Sequence, residues 1–346
     1  AMVGKTAQMT ELASKAAQLI PPMLGAYSQR QYVILAQSPA EIRATGGHPG
    51  AVLQLTTDNG QLSLGGRRGG GELFSETPIL PLTPPEELLF TDRLMTFGVD
   101  ATLTPDFPRT AEITRAQWSK EFGADVDGVV AIDPVALGYL LEATGPVKMS
   151  DGSTLNSSNA AQVLLNGIYL DKRKTIAQQD DYFSEAADAV FESFLEGTPN
   201  VRAGMAALMR AAEEGRWLVW SADPREQSVL SGTALSGELV GEREGSPVVG
   251  VFLNDASATK MSYYLDYSVK VAGTKCLAGD ARQLTTSVDI TSTAPPEAAK
   301  YPPYLSGTGQ VTPGHSLTNV MVYSPAGGRI ENVTVDGAPY SAMGLY

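Results

Sequence analysis

The apolar positions change period along the chain, and those changes mark its elements. Tyr32 to Ala36 is a continuous apolar run, the pattern of a strand buried on both faces. Ala51 to Leu55, followed by Asp58-Asn59-Gly60, reads as a second strand entering a tight hairpin. Before them, Met9, Leu12, Ala16 and Leu19 recur at helical spacing, which predicts an N-terminal helix within residues 1–25. The run DFPRTAEITRAQWSKEFG, Asp106 to Gly123, predicts a helix with Asp106 at its start, Pro108 in its first turn and Gly123 just past its end. DGVVAIDPVALGYLLEATGPV, Asp127 to Val147, reads as a buried strand, an acidic turn at Asp133-Pro134, a helix and a glycine-proline stop, one strand-to-helix unit of an α/β sheet. Further helices are predicted over Ser158 to Tyr169, Asp181 to Leu195 and Val201 to Glu214, then a strand at Trp217 to Trp220.

From about Ser246 the period shortens. VVGVFLN, MSYYLDYSVKV, QLTTSVDIT, LTNVMVYS and IENVTV are separated by glycine and proline turns, which predicts an all-β, sandwich-like domain. The reading is therefore an α/β domain over 26–240, a mixed sheet flanked by helices, followed by a β domain over 241–346 that is cut short at its C-terminus. Between the second strand and the next helix, Gly65-Gly66-Arg67-Arg68-Gly69-Gly70-Gly71 and the proline-rich stretch Pro78 to Pro85 predict a flexible surface loop or flap.

Composition narrows the function. With 346 residues the chain is long enough for two cores. Thirty-eight acidic against twenty-five basic side chains give a net charge of −13, which disfavours nucleic acid or an anionic membrane as a general partner. A single cysteine, Cys276, excludes an internal disulfide and predicts a small buried apolar side chain, and two histidines make a histidine-rich zinc site improbable. No run of about 18 apolar residues marks a spanning helix or a signal peptide in the sequence as given.

The candidate chemistry is cationic. Arg43 follows the first strand and precedes Ala44-Thr45-Gly46-Gly47, where glycines let backbone amides approach a ligand beside a planar guanidinium, a fit for phosphate. Equally, Arg43 pairs with an acid such as Glu41 or Asp100, and Gly46-Gly47 merely turns the chain. Arg67 and Arg68, on the glycine-rich loop, can close over a diphosphate or stay solvated. Arg109 sits at a helix N-terminus that favours anions, although Asp106 competes as the cap. Asp133 lies at the C-terminal end of a strand, where α/β folds place reacting or metal-binding groups, and Asp-Pro is also a helix-start signal. No nucleophile elbow, phosphate loop or His-Glu metal motif appears.

AEIRATGG, TPDFP, DGVVAIDPVAL and GVFLNDASATKMSYYLD resemble an uncharacterised bacterial envelope family, domain of unknown function 4012, over nearly the whole chain. Over about 31–195 the order of elements more distantly resembles the LytR-CpsA-Psr cell-wall polymer ligases. That resemblance makes Arg43 the counterpart of the motif arginine and puts Arg67 or Arg68 near a second one. It sets Leu165-Asn166-Gly167 on a Leu-Asn-Gly element and Lys172, Arg173 and Lys174 near a pair of ligand-binding arginines. The resemblance to the envelope family implies an extracytoplasmic protein held at the membrane by a removed N-terminal anchor, and the ligase resemblance implies a polyprenyl-diphosphate-linked glycan or cell-wall polymer as ligand and transfer of that polymer to the wall. Arg43, Arg67 and Arg68 would neutralise the diphosphate, with Arg109, Arg173, Gly46 and Gly47 binding it. Asp58 or Asp133 would hold Mg²⁺, and an apolar tunnel lined by Val129 to Ile132 and Val135 to Leu141 would house the lipid. Two departures weaken the transfer reading. The ligase aspartate after the first arginine is replaced by Ala44-Thr45, and Asp181 to Asp188, DYFSEAAD, lacks the basic residues of the ligase helix. The alternative is a noncatalytic envelope scaffold or adhesion and interaction protein with a degenerate ligase-like site.

Overall fold

The computed structural model describes residues 14–171, 174–195, 201–243, 245–276, 281–307, 309 and 311–342. The chain divides into two compact units. The larger comprises the chain up to Pro39 together with Arg43–Glu238, and the smaller comprises Ala40–Ile42 with Leu239–Tyr346.

The first unit is a mixed α/β layer structure. Helix α1 (14–23) leads into β1 (Arg30–Arg43), β2 (Gly46–Asp58) and β3 (Gln61–Gly69). After α2 (Pro84–Phe90) and α3 (Phe107–Phe122) come β4 (Gly128–Ile132), α4 (Pro134–Thr144), α5 (Ile176–Leu195), α6 (Val201–Glu213), β5 (Trp217–Ser221) and α7 (Pro224–Leu230). The sheet order is β3-β2-β1-β4-β5, with β1 parallel to β4 from Tyr32↔Gly128 to Ala36↔Ile132 and β4 antiparallel to β5. Residues of alternating parity enter opposite faces, so the apolar runs of β4 and β5 feed two cores at once, and β1 feeds the first. Val33, Leu35, Val129 and Ala131 pack with Phe107, Ala111 and Trp118 of α3. On the other parity, Val130, Trp217 and Val219 pack with Leu19 and Met23 of α1 and Leu230 of α7. A third cluster joins Leu140 and Leu141 of α4 to Tyr182, Ala186 and Val190 of α5 and Ala207 of α6. Of the segments expected to line a lipid tunnel, Val129, Ala131 and Leu141 are almost wholly buried in these clusters, and Ile132, Leu137 and Tyr139 are partly buried against the third.

Terminal signals behave as read. Pro108 lies in the first turn of α3 and Gly123 closes it in the left-handed conformation at φ 67°. Asp106 holds the N-cap position of α3 without a side-chain capping bond.

Two elements differ from expectation. The glycine-rich stretch is a strand through Gly69, not a loop, with Arg67 opposite Leu53 and Arg68 opposite Val52. Glycine is tolerated there because β3 is the outer strand of the sheet. The predicted helix over Ser158 to Tyr169 is interrupted by a π-turn at Val163–Gly167, the kind of local widening associated with inserted residues.

The second unit is rich in β structure, as expected. Its longer described strands pair two by two: β6 (Gly250–Asp255) with β9 (Thr318–Tyr323), and β7 (Leu265–Cys276) with β8 (Arg282–Ser292), all antiparallel. Cys276 corrects the expectation of a buried thiol: it ends β7 and is exposed, because both faces of that ribbon meet solvent. Lys260 pairs with Glu41 of β1 inside this unit. Among the described residues no helix is long and apolar enough to cross a membrane.

Candidate functional site

Arg43 ends β1, and its guanidinium faces inward. Its side chain is 11% exposed, and Nη2 lies 3.6 Å from Oδ1 of Asp100, a buried carboxylate. The other oxygen, Oδ2, accepts from Nε of Arg93 at 2.9 Å and pairs with its Nη2 at 2.8 Å. Arg93, 60% exposed, also lies over the Phe97 ring at 4.7 Å. One acid thus holds two guanidinium groups, one buried and one facing water. This is the paired reading of Arg43, with Asp100 as its partner. Arg93 was not singled out in the sequence, since a lone arginine ahead of a short apolar stretch carries no signal.

Gly46 and Gly47 serve the backbone. A Cβ on Gly47 would sit 2.3 Å from the carbonyl carbon of Ser38 and 2.6 Å from the nitrogen of Pro39, and one on Gly46 would meet Oε1 of Gln37 at 2.2 Å. The space beside these glycines is filled by β1, so they admit the neighbouring strand and not a ligand. Thr45, just before them, donates its amide to the Thr102 carbonyl at 3.3 Å and its Oγ1 to the same oxygen at 3.2 Å.

Arg67 and Arg68 are consecutive in β3 and so project to opposite sides. Nη1 of Arg67 donates to Oγ of Ser184 on α5 at 3.0 Å, whereas the Arg68 guanidinium lies 5.6 Å from the centre of the Phe122 ring on α3. They do not form a joint clamp. Arg109 is held in a fork by Glu86, with Nε to Oε1 at 2.7 Å and Nη2 to Oε2 at 3.2 Å, and Nη2 also donates to the Pro81 carbonyl at 2.7 Å. Burial would raise the Glu86 carboxyl, but the Arg109 guanidinium and the Thr83 bonds outweigh it and hold the group below its ordinary range. The helix N-terminus thus anchors the proline-rich segment before α2. Arg173 lies outside the described residues.

The two metal candidates stand apart from Arg43 and do not gather further ligands. Asp58 is exposed at the hairpin end of β2, where Oδ1 accepts from Nδ2 of Asn59. Twelve residues of strand separate it from Gly46, about 40 Å at about 3.3 Å per residue. Asp133 follows Ile132, which is level with Ala36, so Arg43 stands seven residues farther along β1, about 23 Å if extended. Among the described residues no three His, Cys, Asp or Glu side chains are grouped to hold a metal ion. Asp133 instead caps α4: Oδ1 accepts from the Val135 and Ala136 amides, both at 2.9 Å, and Oδ2 pairs with Nη1 of Arg216 at 2.8 Å.

Burial is the largest influence on Asp133 and raises its pKa despite Arg216 and both amides. A carboxyl raised on folding stabilises the fold most below its unfolded pKa, and that contribution fades as pH rises through the folded value. The stability of the wild type relative to Asp133→Asn is therefore expected to fall between pH 4 and pH 7. Urea midpoints of both proteins at the two pH values check this, and a flat or rising difference would refute it.

The match to known families lies within the first half of the chain. Residues 28–169 match a family described as "Protein of unknown function (DUF4012)". Leu239–Tyr346, the bulk of the second unit, lies outside that match, which is shorter than the resemblance read from its motifs. Comparison with curated proteins gives no match. Among solved structures the chain is similar to protein gbs0355 from Streptococcus agalactiae, at 12% identity and a TM-score of 0.38, covering 60% of this chain and 73% of that one. It is also similar to the transcriptional regulator yvhJ from Bacillus subtilis, at 9% identity and 0.34, covering 75% and 90%. For TagV from B. subtilis the values are 11% and 0.31, covering 61% and 83%. At such scores these neighbours carry no argument about the fold, site or role of this chain.

Proposed function

We propose that this chain is a noncatalytic protein of the bacterial cell envelope, an interaction module whose first unit keeps a ligase-like layered framework without a diphosphate clamp. The observation that carries this reading is the divergence of its guanidinium groups. Arg43 is committed to buried Asp100, Arg109 to Glu86, and Arg67 and Arg68 turn to opposite faces of one strand. Electrostatic stabilisation of a leaving diphosphate needs several cations converging on one place. Four cations with separate partners do not supply that. An extracytoplasmic, membrane-anchored location belongs to the same proposal and is supported by the resemblance of the first unit to envelope proteins.

The test is calorimetric titration with a short-chain polyprenyl diphosphate, with and without Mg²⁺, into the wild type and Arg43→Ala. No saturable heat in either protein is the expected outcome. Tight binding that Mg²⁺ strengthens and Arg43→Ala abolishes would overturn the reading and restore the transferase, with the lipid-linked polymer as substrate.

A further inference from the structure

Residues 78–90 lie on the first unit as a strap. The segment contains Pro78, Pro81, Pro84 and Pro85, ends in α2, and has no buried residue. Its underside is nevertheless apolar. Ile79, Leu80, Leu82 and Phe90 are partly buried against Leu94, Met95, Ala101 and Ile113, all of which are wholly buried. The strap therefore seals an apolar floor without belonging to the interior itself. Proline explains part of this, because residues without an N–H follow an extended course with fewer ties to what lies beneath.

The ties that do exist converge on one side chain. Among the described residues, the Ile79 amide donates to the Met95 carbonyl at 3.2 Å, and the other hydrogen bonds from 78–90 to the body of the unit are made by Arg109. Its Nη2 donates to the Pro81 carbonyl, and Nε and Nη2 together grip Glu86. Glu86 Oε2 in turn accepts from the amide of Thr83 at 2.8 Å and from its hydroxyl at 3.0 Å, which fixes the start of α2. One guanidinium thus holds both the proline stretch and the helix that follows it. Glu112, the other acid on Arg109, belongs to α3 and does not touch the strap.

The downstream end is strained. Thr91 follows α2 at φ 60° and ψ −169°, a conformation left almost entirely to glycine, and a β-branched side chain there costs free energy for as long as the strap lies closed. Lifting the strap relieves it. A helix of 7 residues does not hold in water on its own, so α2 melts when it leaves the surface. Sparse burial, a single clasp and a strained hinge mark a segment whose opening lies below global unfolding. We propose that residues 78–90 form a strap that opens as one piece, hinged at Thr91 and clasped by Arg109, and that its opening uncovers the floor of Leu94, Met95, Ala101 and Ile113 while the sheet stays folded. The motion lies within the first unit and is independent of whether that unit binds a diphosphate.

Hydrogen exchange of the full chain, read by mass spectrometry, tests this. In the wild type the α2 amides are expected to exchange at least about a hundredfold faster than those of β4, after allowance for intrinsic rates. Arg109→Ala should speed α2 about tenfold further and leave β4 unchanged, because it removes charge-assisted bonds to the strap alone. Glu112→Ala should alter neither. Thr91→Gly should slow α2 about fivefold by relieving the hinge, a direction that general destabilisation does not produce. Met95, wholly buried beneath the strap, reports the floor: dilute peroxide should oxidise it about tenfold faster in Arg109→Ala, while Met149, buried in the cluster of α4 and α5, keeps its rate. Exchange of α2 at the rate of β4 in the wild type, equal acceleration of both in Arg109→Ala, or faster α2 exchange without faster Met95 oxidation would overturn the proposal. If Arg109→Ala does not fold, the wild-type comparison and Thr91→Gly decide, and acceleration by Thr91→Gly would overturn the hinge.

Discussion

Asp100→Ala is expected to destabilise the first unit by about 3–5 kcal/mol, the range found when one member of a buried ion pair is removed. Asp100 is 4% exposed and faces the Arg43 guanidinium, whose side chain is 11% exposed. Without the carboxylate, Arg43 keeps its charge in a place where water compensates poorly, and desolvation then dominates. Arg93 behaves differently because it is largely exposed and regains water when the pair is broken, so Arg93→Ala should cost no more than about 1 kcal/mol. Combining Asp100→Ala with Arg43→Met should recover most of the loss, since no buried charge then remains. Guanidinium denaturation of the three variants checks the series. A loss below about 1 kcal/mol for Asp100→Ala would mean that Arg43 reaches solvent and is available to a ligand after all.

Gly47→Ala should be the second large effect, about 3 kcal/mol, at the upper end of overpacking costs. Its added methyl would meet the backbone of Ser38 and Pro39 within 2.6 Å, and backbone, unlike a side-chain tip, has no rotamer into which to retreat. Gly66→Ala is the matched control, because nothing lies within 4 Å of the Cβ it would add. It should be within about 0.5 kcal/mol of wild type or slightly stabilising. The two variants separate packing from binding. Were Gly47 present for ligand approach, its alanine variant would melt normally and fail only in a binding assay.

Much of the sheet was legible because its central strands are buried on both sides. The runs beginning at Tyr32, Gly128 and Trp217 leave no polar alternation to confuse, and Asp133-Pro134 and Gly123 fix helix ends by local stereochemistry alone. The edge strand β3 was hidden because its Gly65-Gly66 and Gly69 carry the composition of a loop, and only its pairing with β2 makes it a strand. The candidate site was less legible for a different reason. Sequence reports that Arg43, Arg67, Arg68 and Arg109 are cations, but direction and partner decide their role. Those depend on Asp100, Ser184, Phe122 and Glu86, which lie between 23 and 117 positions away in the pairs with Arg109 and Arg67. Asp100 was visible as one alternative for Arg43, and Asp133 as a cap, because both follow from short-range or commonplace rules.

The pairing of Glu41 with Lys260 has a temporal consequence. The two residues are 219 positions apart, yet Ala40–Ile42 belongs with the second unit. During synthesis at about 5–20 residues per second, this stretch of β1 leaves the ribosome roughly 10–45 s before its partner exists. The first unit can begin to assemble during that interval, while the second cannot start without a piece of chain delivered long before. A nascent chain stalled ahead of Lys260 would therefore carry an acidic strand end waiting for its counter-ion, and the smaller unit cannot be completed until the chain beyond Lys260 has been made.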